Sequence, residues 1–164
     1  MVDLEKLRLR YKPRAILLLL VGEAPPPHKG FFYDTTVPEG QLSRNTRRVF
    51  ENLNEMEYAT REEFLAQFRA SHCYLTDLFK QRGQTIHNAD RGERQEGIRQ
   101  LTRILQKEKP RMVTSVLKRI QRPVEDAVRR AGIRVSCRSL YYPTRQYIPL
   151  YRSGLQAILS ELKL

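Results

Sequence analysis

The sequence has 164 residues, with 30 Lys and Arg against 18 Asp and Glu and a formal net charge of +12. This length suits one domain, 1–164, and 40% apolar content is enough to build its core, which argues against a disordered chain. The longest apolar run, Ala15–Val21, has seven residues, where a membrane span needs about 20.

In chain order, Met1–Pro13 is charged and lacks the apolar stretch of a secretion signal; Leu4–Leu9 within it reads as a short helix ended by Pro13. Ala15–Val21 has the length and unbroken apolar character of a strand buried on both faces. The segment 22–42 holds four of the nine prolines together with Gly30 and Gly40, so it reads as a loop. A loop of roughly 20 residues in a compact domain is usually functional.

A helix is expected from Ser43, with Ser43 as its cap and Val49, Phe50 and Leu53 on its apolar face. Thr60 followed by Glu63 signals a capping box for a second helix carrying Phe64, Leu65 and Phe68. Cys73–Leu75 reads as a strand that exits through Thr76–Phe79, and Lys80–Asp90 as a polar loop. Ile98, Leu101, Ile104 and Leu105 keep helical spacing up to Pro110, and Met112–Val116 is a third strand. Val124 and Val128 belong to a helix that Gly132 ends, Ile133–Val135 is a fourth strand, 140–149 is a Tyr/Pro loop, and Leu155–Leu162 is a closing helix. Strands alternating with helices predict a three-layer α/β sandwich around a mostly parallel four-stranded sheet. Ligands of such sheets bind beyond the carboxyl ends of the strands.

Two cysteines, Cys73 and Cys137, are too few for a disulfide framework or a metal cluster, and His28, His72 and His87 lack metal-ligand spacing. No phosphate-binding glycine loop, dinucleotide fingerprint or nucleophile elbow is present. The expectation is a cytoplasmic monomer without metal, cofactor or membrane contact. The arginine-rich excess suits a polyanion, because the guanidinium fork can bond two phosphate oxygens and each neutralised phosphate releases counterions. DNA is therefore the expected partner, with a solvated basic surface as the plainer explanation.

Val21-Gly22-Glu23-Ala24-Pro25-Pro26, with Phe31-Phe32 shortly after, resembles the first motif of the uracil-DNA glycosylase superfamily, which reads Gly-Glu-Ala-Pro-Gly in its iron–sulfur branch. Tyr74–Lys80 is similar to the next motif, a strand ending in Thr-Asn. Pro110–Leu117 is similar to the strand before a glycine-rich start of a helix, and Tyr141–Arg145 falls where the family has a His-Pro-Ser loop. The resemblance spans about residues 14 to 162. Three departures accompany it: the four cluster cysteines are absent, the motif asparagine is Asp77, and the loop histidine is Tyr142.

The resemblance implies hydrolysis of a damaged or deaminated base's N-glycosidic bond. Glu23 and Tyr142 would be the catalytic pair. Gly22, Ala24, Pro25, Phe31, Phe32 and Asp77 would bind the base, and Arg44, Arg47, Arg48, Thr144 and Arg145 the DNA. Such a base must leave the duplex for a pocket that reads its polar edge and stacks its face. Glu23 would stabilise positive charge on the sugar and orient water; otherwise it caps a turn or pairs with an arginine. Phe31 or Phe32 would stack on the base, or lie in the core. An amide can both donate and accept, whereas an ionised Asp77 only accepts. A base with an exocyclic amino group therefore suits the pocket better than uracil unless burial keeps Asp77 protonated. Ser43 and Thr144 are candidate phosphate contacts or helix caps, and Tyr141–Pro143 is otherwise a surface turn. A non-catalytic module binding DNA or a modified base is the alternative, and a nucleoside-processing enzyme a third.

Overall fold

The computed structural model describes residues 2–164, so residue 1 of the expected domain and the Met1 end of its charged stretch lie outside them. Its elements are α1 (Leu4–Arg10), β1 (Leu18–Gly22), α2 (Gln41–Asn54), α3 (Arg61–Ala70), β2 (Cys73–Asp77), α4 (Arg91–Glu108), β3 (Met112–Ser115), α5 (Gln121–Ala131), β4 (Ser136–Ser139) and α6 (Ile148–Leu162). All four strands are parallel, in the order β2-β1-β3-β4. β1 is central and buried along its whole length, which is why Leu18–Val21 is unbroken Leu and Val before Gly22.

The chain leaves β1 for β2 in one direction and returns for β3 and β4 in the other. With right-handed crossovers, α2 and α3 fall on one face and α4 and α5 on the other. The packing agrees, since α4 lies against α5, and α2 against α3 and α6. The result is a three-layer α/β sandwich. No helix among the described residues is long and apolar enough to cross a membrane.

Several boundaries differ from the sequence pattern. α6 begins at Ile148, inside the expected 140–149 loop, with Pro149 in its first turn, β2 runs on to Asp77, and β3 ends at Ser115. The β1 ladder starts at Leu18, not Ala15, because its partner β2 begins only at Cys73, directly after His72 in the left-handed region, φ +58°. β4 forms at Ser136–Ser139, beyond the expected Ile133–Val135. Ser136 is where the chain first meets β3, pairing with Met112, and an edge strand with alternate residues exposed needs no apolar run. α2 begins two residues before Ser43, with Gly40 at its N-cap position. Ser43 is buried in the first turn, where its hydroxyl donates to Glu39 Oε1 at 3.0 Å, so it neither caps the helix nor faces solvent.

Of the local signals elsewhere, the Thr60–Glu63 capping box forms only in half, since the Glu63 carboxylate accepts the Ala59 amide and not that of Thr60, while the Gly132 cap forms as expected. Thr60 Oγ1 accepts the Glu63 amide at 3.2 Å, and Gly132 ends α5 in the left-handed region, φ +66°. A full capping box, Asp90 with Glu93, starts α4 directly after the expected Lys80–Asp90 loop, whose last residue is the cap.

The α2–α3 side of the sheet is an aromatic core of Phe32, Phe50, Phe64 and Phe68, joined by Tyr33 at the sheet edge, while Tyr74 faces the α4 side beside Ile104 and Glu108. Tyr33 also finishes the sheet. Its hydroxyl donates to Leu75 O at 3.0 Å and accepts the Leu75 amide at 2.7 Å, covering the outer edge of β2 at its middle residue. Burial holds this phenol well above its ordinary pKa, so it remains an O–H able to do both.

Candidate functional site

A cavity of about 510 Å³ opens beyond the carboxyl ends of β1, β2 and β3, within the roughly 300–1,000 Å³ of small-molecule sites. β1 delivers Gly22 and Glu23, β2 delivers Asp77, the chain after β3 delivers Leu117 and Arg119, and the loop after β4 delivers Tyr142 and Thr144. The proline-rich loop adds Ala24, Pro25, Phe31 and Phe32. The structure thus brings together every expected catalytic and base-binding residue, along with Thr144.

Glu23 is fixed through backbone and side chain. Its carbonyl accepts the Phe79 amide at 2.8 Å, just as Gly22 O accepts Leu78 N at 2.8 Å. Its carboxylate is buried and bonded on both oxygens by Arg119, through Nε to Oε2 at 2.8 Å and Nη2 to Oε1, while the Ile86 amide donates to Oε2 at 3.0 Å. The pairing with an arginine left open by the sequence is therefore the one formed. Arg119 is 47% exposed, so this clamp lies at the solvent side of the cavity.

Asp77 lies deeper. Arg8 Nη2 donates to its Oδ2 at 2.6 Å, and Arg8 Nη1 binds Glu5 at 2.6 Å. Burial drives the Asp77 carboxyl up to about 6 although the Arg8 charge opposes it. Burial also weighs against the Arg8 charge, but Asp77 and Glu5 leave the guanidinium above its ordinary pKa. Asp77 Oδ1 comes so close to Gly22 that a Cβ there would lie 2.5 Å from it. Only glycine leaves room for the carboxylate at the strand end.

Phe31 and Phe32 are both buried, yet both line the cavity. Phe32 is held among Tyr33, Phe64 and Phe68, with centroids at 5.0, 6.1 and 5.2 Å. Phe31 touches the cluster through Tyr33 alone and carries the Arg8 guanidinium 5.4 Å from its centroid. Of the two rings, Phe31 has fewer aromatic neighbours. Tyr142 stands at the rim, 36% exposed, and its phenol is raised by burial and by the Asp77 charge.

The basic residues divide. Arg47 lies between Glu39 and Glu51, 2.9 Å from each, and is held above its ordinary pKa by its hydrogen bonds to Glu39. Arg48 pairs with Glu51 at 3.0 Å, while Arg44 is exposed and bonds only the Glu39 carbonyl, at 3.3 Å. Arg145 is exposed, with φ +39°. Neither Arg44, Arg47, Arg48 nor Arg145 lines the cavity.

Arg8, Arg119 and the Ile86 amide escaped sequence reasoning. Each meets its acid from a distant segment, 69, 96 and 63 residues away, and no local motif marks such a partner. Among the described residues, no three His, Cys, Asp or Glu side chains gather as a metal site. No protein-family profile matches the chain, nor does any curated protein.

Proposed function

We propose that this protein binds DNA and hydrolyses the N-glycosidic bond of a damaged or deaminated base drawn into the cavity. The observation that carries this reading is the meeting of Glu23, Asp77, Phe31 and Tyr142 around one space at the strand ends. Phe31 supplies the stacking face, Asp77 reads a donor on the base edge, and Tyr142 hydrogen-bonds the departing base. Glu23, released from Arg119, orients a water molecule. The water oxygen bonds to C1′ as the C1′–N bond breaks. The bond's electron pair leaves with the base, and the water proton passes to the Glu23 carboxylate and on to the base. The Arg8 pairing keeps Asp77 ionised above pH about 6, which favours a base bearing an exocyclic amino group over uracil.

The test is release of free base from oligonucleotides carrying uracil, amino-bearing pyrimidines or deaminated purines in one sequence context. Release abolished by Glu23→Ala, with DNA binding retained, supports the reading; no release from any substrate refutes hydrolysis. One observation favours a second reading, a non-catalytic module binding DNA or a modified base. Both Glu23 oxygens are already bonded, as suits a carboxylate that shapes the cavity. DNA binding without release would select it.

A further inference from the structure

The cavity walls have an outer side. Leu117 and Arg119 line the cavity while Lys118, between them, does not; Tyr142 and Thr144 line it while Tyr141 and Tyr147 do not. On that outer side the Tyr141 and Tyr147 rings stack, with centroids 4.9 Å apart and planes 4° from parallel. Lys118 Nζ sits 4.8 Å from the Tyr141 centroid and donates to Ser139 O at 2.9 Å, fixing the ammonium over the ring. Tyr141 and Tyr147 are 42% and 37% exposed, so the pair belongs to the surface and not to the core.

Two cations flank the pair, Lys118 over Tyr141 and Arg145 two residues before Tyr147. Among the described residues neither pairs with a carboxylate, as is also true of Arg44, Arg82 and Arg94, whereas Arg119 and Arg138 nearby do. Arg145 occupies the left-handed region between the cavity residue Thr144 and Tyr147, a backbone state that costs a non-glycine residue about 1–2 kcal/mol. Among the described residues no ring or cation covers the other face of Tyr147. Flat rings in register, with unpaired cations beside them, are the elements by which proteins hold unpaired bases along a charged backbone.

We propose that the Lys118–Tyr141–Tyr147 ladder is a stacking platform for an unpaired base of single-stranded DNA, with Lys118 and Arg145 contacting the adjoining phosphates. The platform lies next to the cavity rim, so a strand stacked there presents a neighbouring nucleotide to the cavity. The inference rests on the DNA-binding part of the function proposed above and is independent of base release.

The test is equilibrium binding of the full chain, by fluorescence anisotropy at low salt, to an undamaged single strand, its duplex and a strand with abasic residues. The expected result is tighter binding to the single strand than to the abasic strand. Tyr147→Ala should weaken single-strand binding about 5- to 150-fold, the range of base–aromatic stacking, and leave duplex binding within about twofold. Tyr147→Trp should retain it. Both variants alter an exposed ring, and thermal unfolding checks that they fold. Equal weakening for single strand and duplex, no weakening, or equal affinity for the abasic strand overturns the platform. Absence of all DNA binding overturns both this inference and the proposed function. Single-strand binding that depends on Tyr147 but is accompanied by no base release removes hydrolysis alone.

Discussion

Arg8 and Asp77, 69 residues apart in sequence, meet at 2.6 Å behind the cavity and are both buried. The helix before the first strand thereby holds the acid at the end of the second. Removing one member of such a pair leaves a charge with neither water nor partner, at a cost of about 3–5 kcal/mol. Arg8→Met should lower stability by that order in chemical denaturation, and Arg8→Met combined with Asp77→Asn should recover most of the loss. Equal stability of the single and double variants would contradict this account.

The same pair gives a pH signature. Asp77 titrates near 6 in the folded protein and near 4 unfolded. Between these values the native state holds the extra proton, so the Asp77 contribution to stability falls as pH rises from about 4 to about 6. Denaturation midpoints across this window should show the fall in the wild type relative to Asp77→Asn.

Ligand preference should follow the same proton. Above pH about 6 the ionised carboxylate accepts only; below it, a protonated Asp77 can also donate to a carbonyl. Binding or release of an amino-bearing base relative to uracil should therefore decline as pH falls through 6. Asp77→Asn should favour uracil and remove the pH dependence, read from competition between the two substrates.

Gly22→Ala should disturb the cavity without removing a charged residue. Its Cβ would lie 2.5 Å from Asp77 Oδ1, so the carboxylate must leave its Arg8-bound position. A stability loss of about 1–3 kcal/mol is expected from such overpacking, with loss of the pH signature assigned above to Asp77. An unchanged denaturation profile would show that the strand end has more room than the geometry gives it.

Tyr33→Phe removes only the oxygen that serves both polar groups of Leu75. Leaving them unpaired at a covered edge should cost about 1–3 kcal/mol. Faster amide exchange at Leu75, with smaller change at Leu20 in the sheet interior, is the residue-level measurement.

The sheet was legible in proportion to its burial. β1, enclosed by two strands and two helical layers, is written as an unbroken apolar run, whereas β4, an edge strand of Ser, Cys and Arg, carries no such signal. Thr60 and Gly132 marked their helix ends because capping is local chemistry. Glu23 and Asp77 were recognisable as acids at strand ends, and topology alone decides that both face one cavity. Their partners were hidden for the same reason: Arg8 and Arg119 look like any other basic residues in an arginine-rich chain until folding brings them to their acids. Composition likewise gives no means of telling Arg47, enclosed by two glutamates, from Arg145, which has none.

The alternation along 117–119 and 141–147 divides labour within single short segments. On the proposed reading, inward side chains can be exchanged to change what fits the hollow, while residues beside them that do not line it, such as Lys118 and Tyr141, set how a strand outside is gripped. Changes on the two sides should combine nearly additively, leaving selectivity and grip free to drift apart in related chains.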